Sequence, residues 1–281
     1  TLDSYFRGDK ELFEGLKIMS LEKEWTRYPV LHIDLSVTKG QDNAEGLRET
    51  LMWMLGPLAE VYGREDDETS PGKLLTGLIH RAEEKTGRQV AVIIDEYDAP
   101  LLDALHDQAT LDAMRKVMQE FYVPLKANEA HIKFCFITGI TKFSQLSIFS
   151  TINNLANISL EASFATICGF TEEELCTTLW PDVERLASVL KITPAEMHDR
   201  LKLRYDGYHF AADAPEVYNP FSLLNCFLHR RVNNYWFASG TPTFLIRQMQ
   251  HFHTDITSLD SLDVPAAALS ERLSHHKGLR P

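Results

Sequence analysis

Three short apolar runs, separated by segments with helical spacing, constrain the fold of this chain more than any other feature. The runs are "YPVLHIDLS" (28–36), "QVAVIIDEYD" (89–98) and "HIKFCFITGI" (131–140). The segments with helical spacing are 43–62, 74–87 and 110–127. Strands and helices that alternate at this distance are typical of a mainly parallel sheet covered by helices. The sequence therefore predicts an α/β fold.

The pattern changes after about residue 170, where short helices with Thr or Asn caps replace the alternation. "TEEELCTTLW" (171–180) begins with Thr and has Glu three residues later, which is the capping-box pattern. We expect three parts: an α/β core over 1–170, a helical domain over 171–265 and a tail over 266–281. Truncation, a frameshifted end and a disordered terminus all remain open for the tail.

Charge and hydropathy exclude several classes of protein. The net charge of −12 argues against a broad nucleic-acid-binding surface, which would be basic. No uncharged apolar stretch is long enough to span a bilayer, so no transmembrane helix is predicted. The first residues, "TLDSYFRGDKELFEGL", lack the basic region and apolar core of a signal peptide. The sequence predicts a cytoplasmic protein.

The cysteines predict buried, reduced thiols and no structural metal site. The chain has four of them, Cys135, Cys168, Cys176 and Cys226. They are scattered without a CxxC pair, and their density is too low for a disulfide scaffold. The same spacing makes a structural zinc site improbable. His251 and His253 alternate within a helical segment, where their side chains would diverge, so a surface position is predicted for both.

Polar residues follow the three predicted strands where each strand ends. They are Asp34, Asp95, Glu96 and Thr138. In an open α/β sheet, ligands bind beyond the carboxyl ends of the strands. A strand that ends in Asp-Glu suits magnesium-dependent hydrolysis of a phosphoanhydride, because the Asp can hold the ion while the Glu orients the attacking water. The pattern alone leaves a second interpretation open, a buried strand that ends in a solvated turn.

Magnesium-dependent phosphate chemistry in such a fold also needs a phosphate-binding loop of the form G-x-x-x-x-G-K-[ST]. The nearest match is "DETSPGKL" (67–74), which has Asp67 in place of the first Gly and Leu74 in place of the hydroxyl residue. It also follows an acidic loop and not a strand. We therefore reject it as a P-loop and predict that Lys73 is a solvated charge at a helix start.

Six segments closely resemble, in order, the bacterial AAA-ATPase-like family. They are "IIDEYDAPL" (93–101), "FITGITKFSQLSIFSTINNLANISL" (136–160), "ICGFTEEEL" (167–175), "YDGYHF" (205–210), "YNPFSLLN" (218–225) and "YWFASGTPTFLI" (235–246). Members of this family are predicted P-loop ATPases, often with a C-terminal nuclease-like domain of the PD-(D/E)XK type. The resemblance implies a P-loop NTPase-type three-layer core with a mostly parallel sheet, followed by a helical lid domain.

The resemblance also implies roles for individual residues. Asp95 and Glu96 match the Walker B pair, with Asp95 as the magnesium-binding residue and Glu96 as the catalytic one. Thr138 matches the polar sensor position after the next strand. Lys142 would reach a phosphate, with a surface lysine as the alternative. Arg204 would contact the nucleotide from the lid, with an ordinary surface salt bridge as the alternative.

In the family, an "RRFGKS"-type P-loop lies just upstream of the segment that matches "TLDSYFRGDKELFEGL". We therefore expect that this chain begins just after its Walker A motif, without the first strand and the P-loop. The expected function is ATP binding and ATP hydrolysis with Mg²⁺ in a longer parent protein, and inactivity in this chain alone. A C-terminal nuclease-like domain is the expected partner.

Two other functions remain open at this point. The first is a non-catalytic interaction scaffold built on the same core. The second, less favoured, is part of a metal-dependent nuclease system that uses Asp95 and nearby acids. A nuclease of this kind needs an acidic-x-Lys strand beside the first carboxylate, and "EEK" (83–85) offers this pattern only in a helical segment.

The missing P-loop pattern generates a direct prediction. These 281 residues should bind ATP negligibly, because no Gly-Lys-Ser/Thr sequence is present to hold the phosphates. Isothermal titration calorimetry of the chain with ATP and Mg²⁺ measures this. Magnesium-dependent binding in the micromolar range would contradict the prediction.

Overall fold

The computed structural model describes residues 1–102, 104–105, 107–139, 154–211 and 213–235. These residues fall into two compact units, with the boundary between Leu155 and Ala156. The domain ranges given above for the whole chain, including the tail, stay predictions. Among the described residues, no helix combines the length and apolar character needed to cross a membrane.

The first unit is built on a parallel sheet of three strands. They are β1 (Val30–Asp34), β2 (Val90–Asp95) and β3 (Ile132–Ile137), in the spatial order β1-β2-β3. Val30 pairs with Ala91 of the central strand, and Ala91 pairs in turn with Phe134. The parallel direction confirms the α/β fold predicted from the alternation of apolar runs and helical segments.

In the described part of the first unit, six helices accompany this sheet. They are α1 (Leu2–Arg7), α2 (Ile18–Leu21), α3 (Ala44–Tyr62), α4 (Pro71–Thr86), α5 (Ala99–Leu102) and α6 (Gln108–Ala127). The long helices begin at polar residues whose side chains accept backbone N–H bonds: Asn43 for α3, Ser70 for α4 and Asp107 for α6. Short 3₁₀ turns lie at Lys10–Phe13, Leu35–Thr38 and Glu129–His131.

Successive residues of the central strand pack into different apolar clusters, as the two-residue period of a strand requires. Val92 and Ile94 join the large core formed with α3, α4 and α6. Ala91 and Ile93 join a smaller cluster around Phe6 of α1. Helices therefore cover both faces of β2, which explains why its sequence is a continuous apolar run.

The rejected P-loop match is part of α4 and has a packing role. A Cβ at Gly72 would lie 2.5 Å from the carbonyl oxygen of Glu120, so the glycine lets α4 approach α6 closely. Lys73, next to it, is exposed. The acidic loop before α4 is not wholly solvated, because the buried Glu68 accepts two hydrogen bonds of 2.8 Å from Arg81.

The described residues of the second unit are mainly helical. Its helices are α7 (Glu172–Cys176), α8 (Trp180–Leu190), α9 (Pro194–Tyr205) and α10 (Pro220–His229), and a 3₁₀ turn lies at Ala162–Phe164. A small antiparallel pair, β4 (Phe170–Thr171) with β5 (Val217–Tyr218), was not expected from the sequence. Thr171 forms the predicted capping box with Glu174, and Thr193 forms another with Glu196.

Two valines of α6 test the burial pattern of the first unit. Val117 is 1% exposed and Val123 is 44% exposed. Replacing Val117 by Ala should lower the free energy of unfolding by about 2 kcal/mol, because the buried methyl groups leave a cavity. Val123→Ala, which changes helix propensity equally, should change it by no more than about 0.5 kcal/mol. Urea unfolding followed by circular dichroism gives both values, and equal losses would contradict the packing.

Candidate functional site

The carboxyl ends of the three parallel strands bring the predicted polar residues to one edge of the sheet. Asp34 at the end of β1 pairs in register with Asp95 at the end of β2. Thr138 follows β3, and its N–H donates to the carbonyl of Ile94 at 2.9 Å. Its own carbonyl accepts from the N–H of Tyr97, also at 2.9 Å. The backbone of position 138 is thus fixed directly beside the end of the central strand.

Asp95 is held by its neighbours in both sequence and space. The Thr138 hydroxyl donates a hydrogen bond to Oδ1 of Asp95. The N–H of Glu96 donates to the same oxygen at 3.0 Å. Asp95 is exposed and Thr138 is half-buried, so this carboxylate is oriented by the protein but open to solvent.

Glu96 has a backbone conformation that most residues avoid. Its φ is +50°, in the left-handed region, where a side chain with a Cβ is strained. Strain of this kind persists only where the surrounding structure imposes it, and it is concentrated at functional sites. The carbonyl of Glu96 accepts from the N–H of Ala99 at 2.9 Å as the chain enters α5. The turn after β2 therefore directs the Glu96 side chain at some cost in stability.

The Glu96 carboxylate forms an ion pair that the sequence did not indicate. Its partner is the ammonium group of Lys39, which directly follows the 3₁₀ turn Leu35–Thr38 after β1. The Lys39 side chain is 50% exposed and the Glu96 side chain is 31% exposed, so the ion pair is partly hydrated. Lys39 stands in no recognisable motif, and only the adjacency of β1 and β2 brings it to this edge.

The turn after β2 and the chain after β3 pack closely against each other next to the site. Asp98, in the turn before α5, is fully buried. A Cβ at Gly139 would lie 2.3 Å from the Tyr97 ring and 2.7 Å from Oδ1 of Asp98. Position 139 therefore has to be glycine for the chain after β3 to pass over this turn.

Oxygen donors at this edge fit a hard divalent cation such as Mg²⁺. Asp95 offers an exposed carboxylate, and the Thr138 hydroxyl lies against it. The Asp34 carboxylate is partly used as a local cap, because it accepts from the N–H of Ser36 at 2.9 Å. Asp95 is thus the best-placed metal ligand among the described residues of this edge.

Arg204 lies in the second unit, exposed near the end of α9. It lines a cavity of about 160 Å³ together with Tyr205, Asp206, Tyr208, Asn219, Ser222 and Asn234. Tyr205 is buried and its hydroxyl donates to the carbonyl of Asn233 at 2.8 Å, which makes it a packing residue. Lys142, the other predicted phosphate contact, lies outside the described residues.

Comparisons with known proteins place this geometry in context. A family model described as AAA-ATPase-like, predicted AAA-ATPase, matches residues 1–149, more than half of the chain and all three strands of the parallel sheet. A protein of Azotobacter chroococcum mcd 1, described as an uncharacterized protein in the vnfD 5'region, is 31% identical over 274 residues. The match covers 96% of this chain and 50% of the relative, so the chain spans about half the length of that curated protein. No solved structure matches the chain.

The left-handed backbone at Glu96 can be tested apart from its carboxylate. Glu96→Gly and Glu96→Ala both remove the ion pair with Lys39, but only glycine relieves the backbone strain. The glycine variant should be more stable to unfolding than the alanine variant by about 1 kcal/mol.

Glu49, exposed in the middle of α3, is the matched control. There the order should reverse, with alanine more stable than glycine by about 1 kcal/mol, because glycine is a poor helix former. Chemical denaturation measures all four variants. The same order at both positions would contradict the conformation assigned to Glu96.

Proposed function

The chain belongs to the AAA-ATPase-like family of predicted AAA-ATPases, and we propose that it forms part of the ATP-binding and ATP-hydrolysing module of such a protein, which depends on Mg²⁺ and is inactive in this chain alone. One observation carries the proposal: the central strand ends in Asp95 and Glu96, and Thr138 of the neighbouring strand donates to Asp95. The strand order β1-β2-β3 is consistent with a P-loop NTPase-type core.

Asp95 is the residue that we assign to Mg²⁺. Its carboxylate is exposed, and the two donors on Oδ1 keep it in one orientation. We assign Thr138, which donates to Asp95, as a positioning residue at the predicted sensor position. When bound, Mg²⁺ neutralises charge on the phosphates.

Glu96 is the residue that we assign to the attacking water. Its carboxylate can accept a hydrogen bond from water and then a proton, as a general base does. In the structure, the ion pair with Lys39 occupies this carboxylate. Water activation therefore requires the Glu96 side chain to turn away from Lys39, and the partial exposure of both groups leaves room for this.

Phosphate binding is the part of the site that these residues do not supply. The sequence has no G-x-x-x-x-G-K-[ST] motif, and the Lys39 ammonium is engaged by Glu96. We therefore assign to this chain the metal-binding and water-activating side of the site. Arg204 and Lys142 stay candidates for nucleotide contacts. A nuclease-like domain in the complete protein and a cytoplasmic location also stay predictions.

A non-catalytic interaction scaffold is the second candidate function, favoured by the ion pair on Glu96 and by the missing Gly-Lys-Ser/Thr sequence. The nuclease alternative loses its local support. Its "EEK" motif lies within α4, where Lys85 donates to the carbonyl of Val61 at 2.8 Å and Glu83 contacts His131. This lysine is therefore not on a strand beside Asp95.

The proposal predicts the effect of removing the Glu96 charge. In the complete protein product of the gene, Glu96→Gln should lower kcat for ATP hydrolysis by at least about 100-fold, the usual effect of losing a general base. The affinity for Mg-ATP should change little, because the amide keeps the size of the side chain. A coupled phosphate-release assay and equilibrium binding give the two numbers.

Glu129→Gln is the matched control, since Glu129 is exposed and lies before β3, at the opposite edge of the sheet. It should leave kcat unchanged. Equal turnover of Glu96→Gln and the unmodified protein would contradict the assigned role. If the complete protein neither binds nor hydrolyses ATP, the scaffold function replaces the ATPase.

A further inference from the structure

Three side chains with metal-binding donor atoms converge in the second unit. They are Glu172 and Cys176 of α7 and His198 of α9. Glu172 and Cys176 are four residues apart and therefore share one face of their helix. Nε2 of His198 lies 2.6 Å from Oε1 of Glu172, and Sγ of Cys176 lies 3.7 Å from the same oxygen. All three donor atoms lie within 4.8 Å of one another.

These separations are close to those in a tetrahedral zinc site. Zinc bonds of about 2.0–2.3 Å to nitrogen, oxygen and sulfur hold neighbouring donor atoms roughly 3.3–3.8 Å apart. The sulfur–oxygen distance of 3.7 Å already satisfies this. The nitrogen–oxygen distance of 2.6 Å is a hydrogen bond and has to open by roughly 1 Å. The Glu172 side chain is 43% exposed, so a small shift of its carboxylate opens this distance while the Tyr218 contact is kept.

Residues around the three donors hold them as the outer shell of a metal site does. The Tyr218 hydroxyl donates to the second carboxylate oxygen of Glu172 at 2.5 Å, which leaves Oε1 directed at the cluster. The other ring nitrogen of His198 lies 3.5 Å from Oδ1 of Asp199. This contact is long for a hydrogen bond, so Tyr218 is the residue that holds the cluster. Tyr218 is itself fully buried, so its hydroxyl is a fixed support.

The packing of the two helices keeps the donors together. Leu175 precedes Cys176 and Met197 precedes His198, and both apolar side chains are fully buried in the core of this unit. The donor residues themselves lie at the margin of that core, where the His198 side chain is 19% exposed. Cys176 and Cys168 are exposed, so the prediction of buried thiols was wrong for these two cysteines. An ion can therefore reach the cluster from solvent.

The negative charge of the cluster is that of Glu172. Burial alone would raise the pKa of Glu172, but hydrogen bonds from Tyr218 and His198 lower it below its usual value, so the group is a carboxylate. Burial and the Glu172 charge raise the pKa of the Cys176 thiol. The ammonium group of Lys202 lies 3.8 Å from the Glu172 carboxylate, and the Lys202 side chain is 52% exposed. A bound metal would replace the thiol proton, as in other thiolate sites.

We propose that Glu172, Cys176 and His198 form a binding site for a divalent late transition metal, with Zn²⁺ as the preferred ion. A nitrogen, a sulfur and an oxygen donor suit zinc, and three protein ligands leave a fourth position for water or another ligand. The ion would join α7 to α9 across the helical unit. The cysteine spacing alone argued against zinc, because Cys176 and His198 meet only through the fold.

Cobalt titration of the chain tests the site, since Co²⁺ bound to a thiolate gives a charge-transfer absorption band. The unmodified protein should bind one equivalent of Co²⁺ with this band, and Zn²⁺ should displace it. Cys176→Ser should abolish the band. Cys168→Ser, which changes another exposed cysteine of the same unit, should keep it.

A second series measures affinity for Zn²⁺ by competition with a chromophoric chelator. His198→Gln should weaken binding by more than about 100-fold, beyond the usual effect of an outer-shell change. Tyr218→Phe, which removes only the support of Glu172, should weaken it by about 10-fold. Circular dichroism of each variant establishes that the helices are intact. A cobalt spectrum without the thiolate band, or equal Zn²⁺ affinity in all variants, would overturn the proposal.

Discussion

The pairing of β2 with parallel strands on both sides is the constraint on which the rest of the structure depends. It places all three strand ends at one edge, and helices on both faces leave β2 no room for a polar side chain before Asp95. The first carboxylate of the strand is therefore also the first residue to reach solvent. Thr138 and Lys39 arrive at the same edge because their own strands are paired with β2 in the same direction.

The fold of the first unit could be read from the sequence because its signals are local. Buried strands, helix caps and the Asp-Glu strand end each occupy a few consecutive residues, and a two-residue or 3.6-residue period identifies them. The Lys39–Glu96 pair, the glycine at position 139 and the buried Glu68 were missed for the opposite reason. Each depends on a contact between segments far apart in the chain, and no periodicity reports such a contact.

In the second unit, too, the sequence predicted local features and missed contacts between distant residues. Its capping boxes were visible as Thr-x-x-Glu patterns, but β4 and β5 contain two residues each, too few for an alternating pattern. Cys176 of α7 and His198 of α9 are separated by α8, and the packing of these helices into one core sets their distance. A search for ligands at fixed sequence spacing cannot find such a group, whereas the folded chain brings the donor atoms together.

The paired strands lie far apart in the sequence, and this affects how the chain folds. Val30 pairs with Ala91, and Ala91 pairs with Phe134, although a long segment of chain separates the residues of each pair. Contacts this distant in sequence close large loops before they return any stabilisation, and proteins rich in them fold slowly. The apolar strand β2 leaves the ribosome before β3 exists to cover its second edge. α3 and α4, which precede β2 in the chain, are available at that stage to cover one face of the strand, while its second edge stays open until β3 follows.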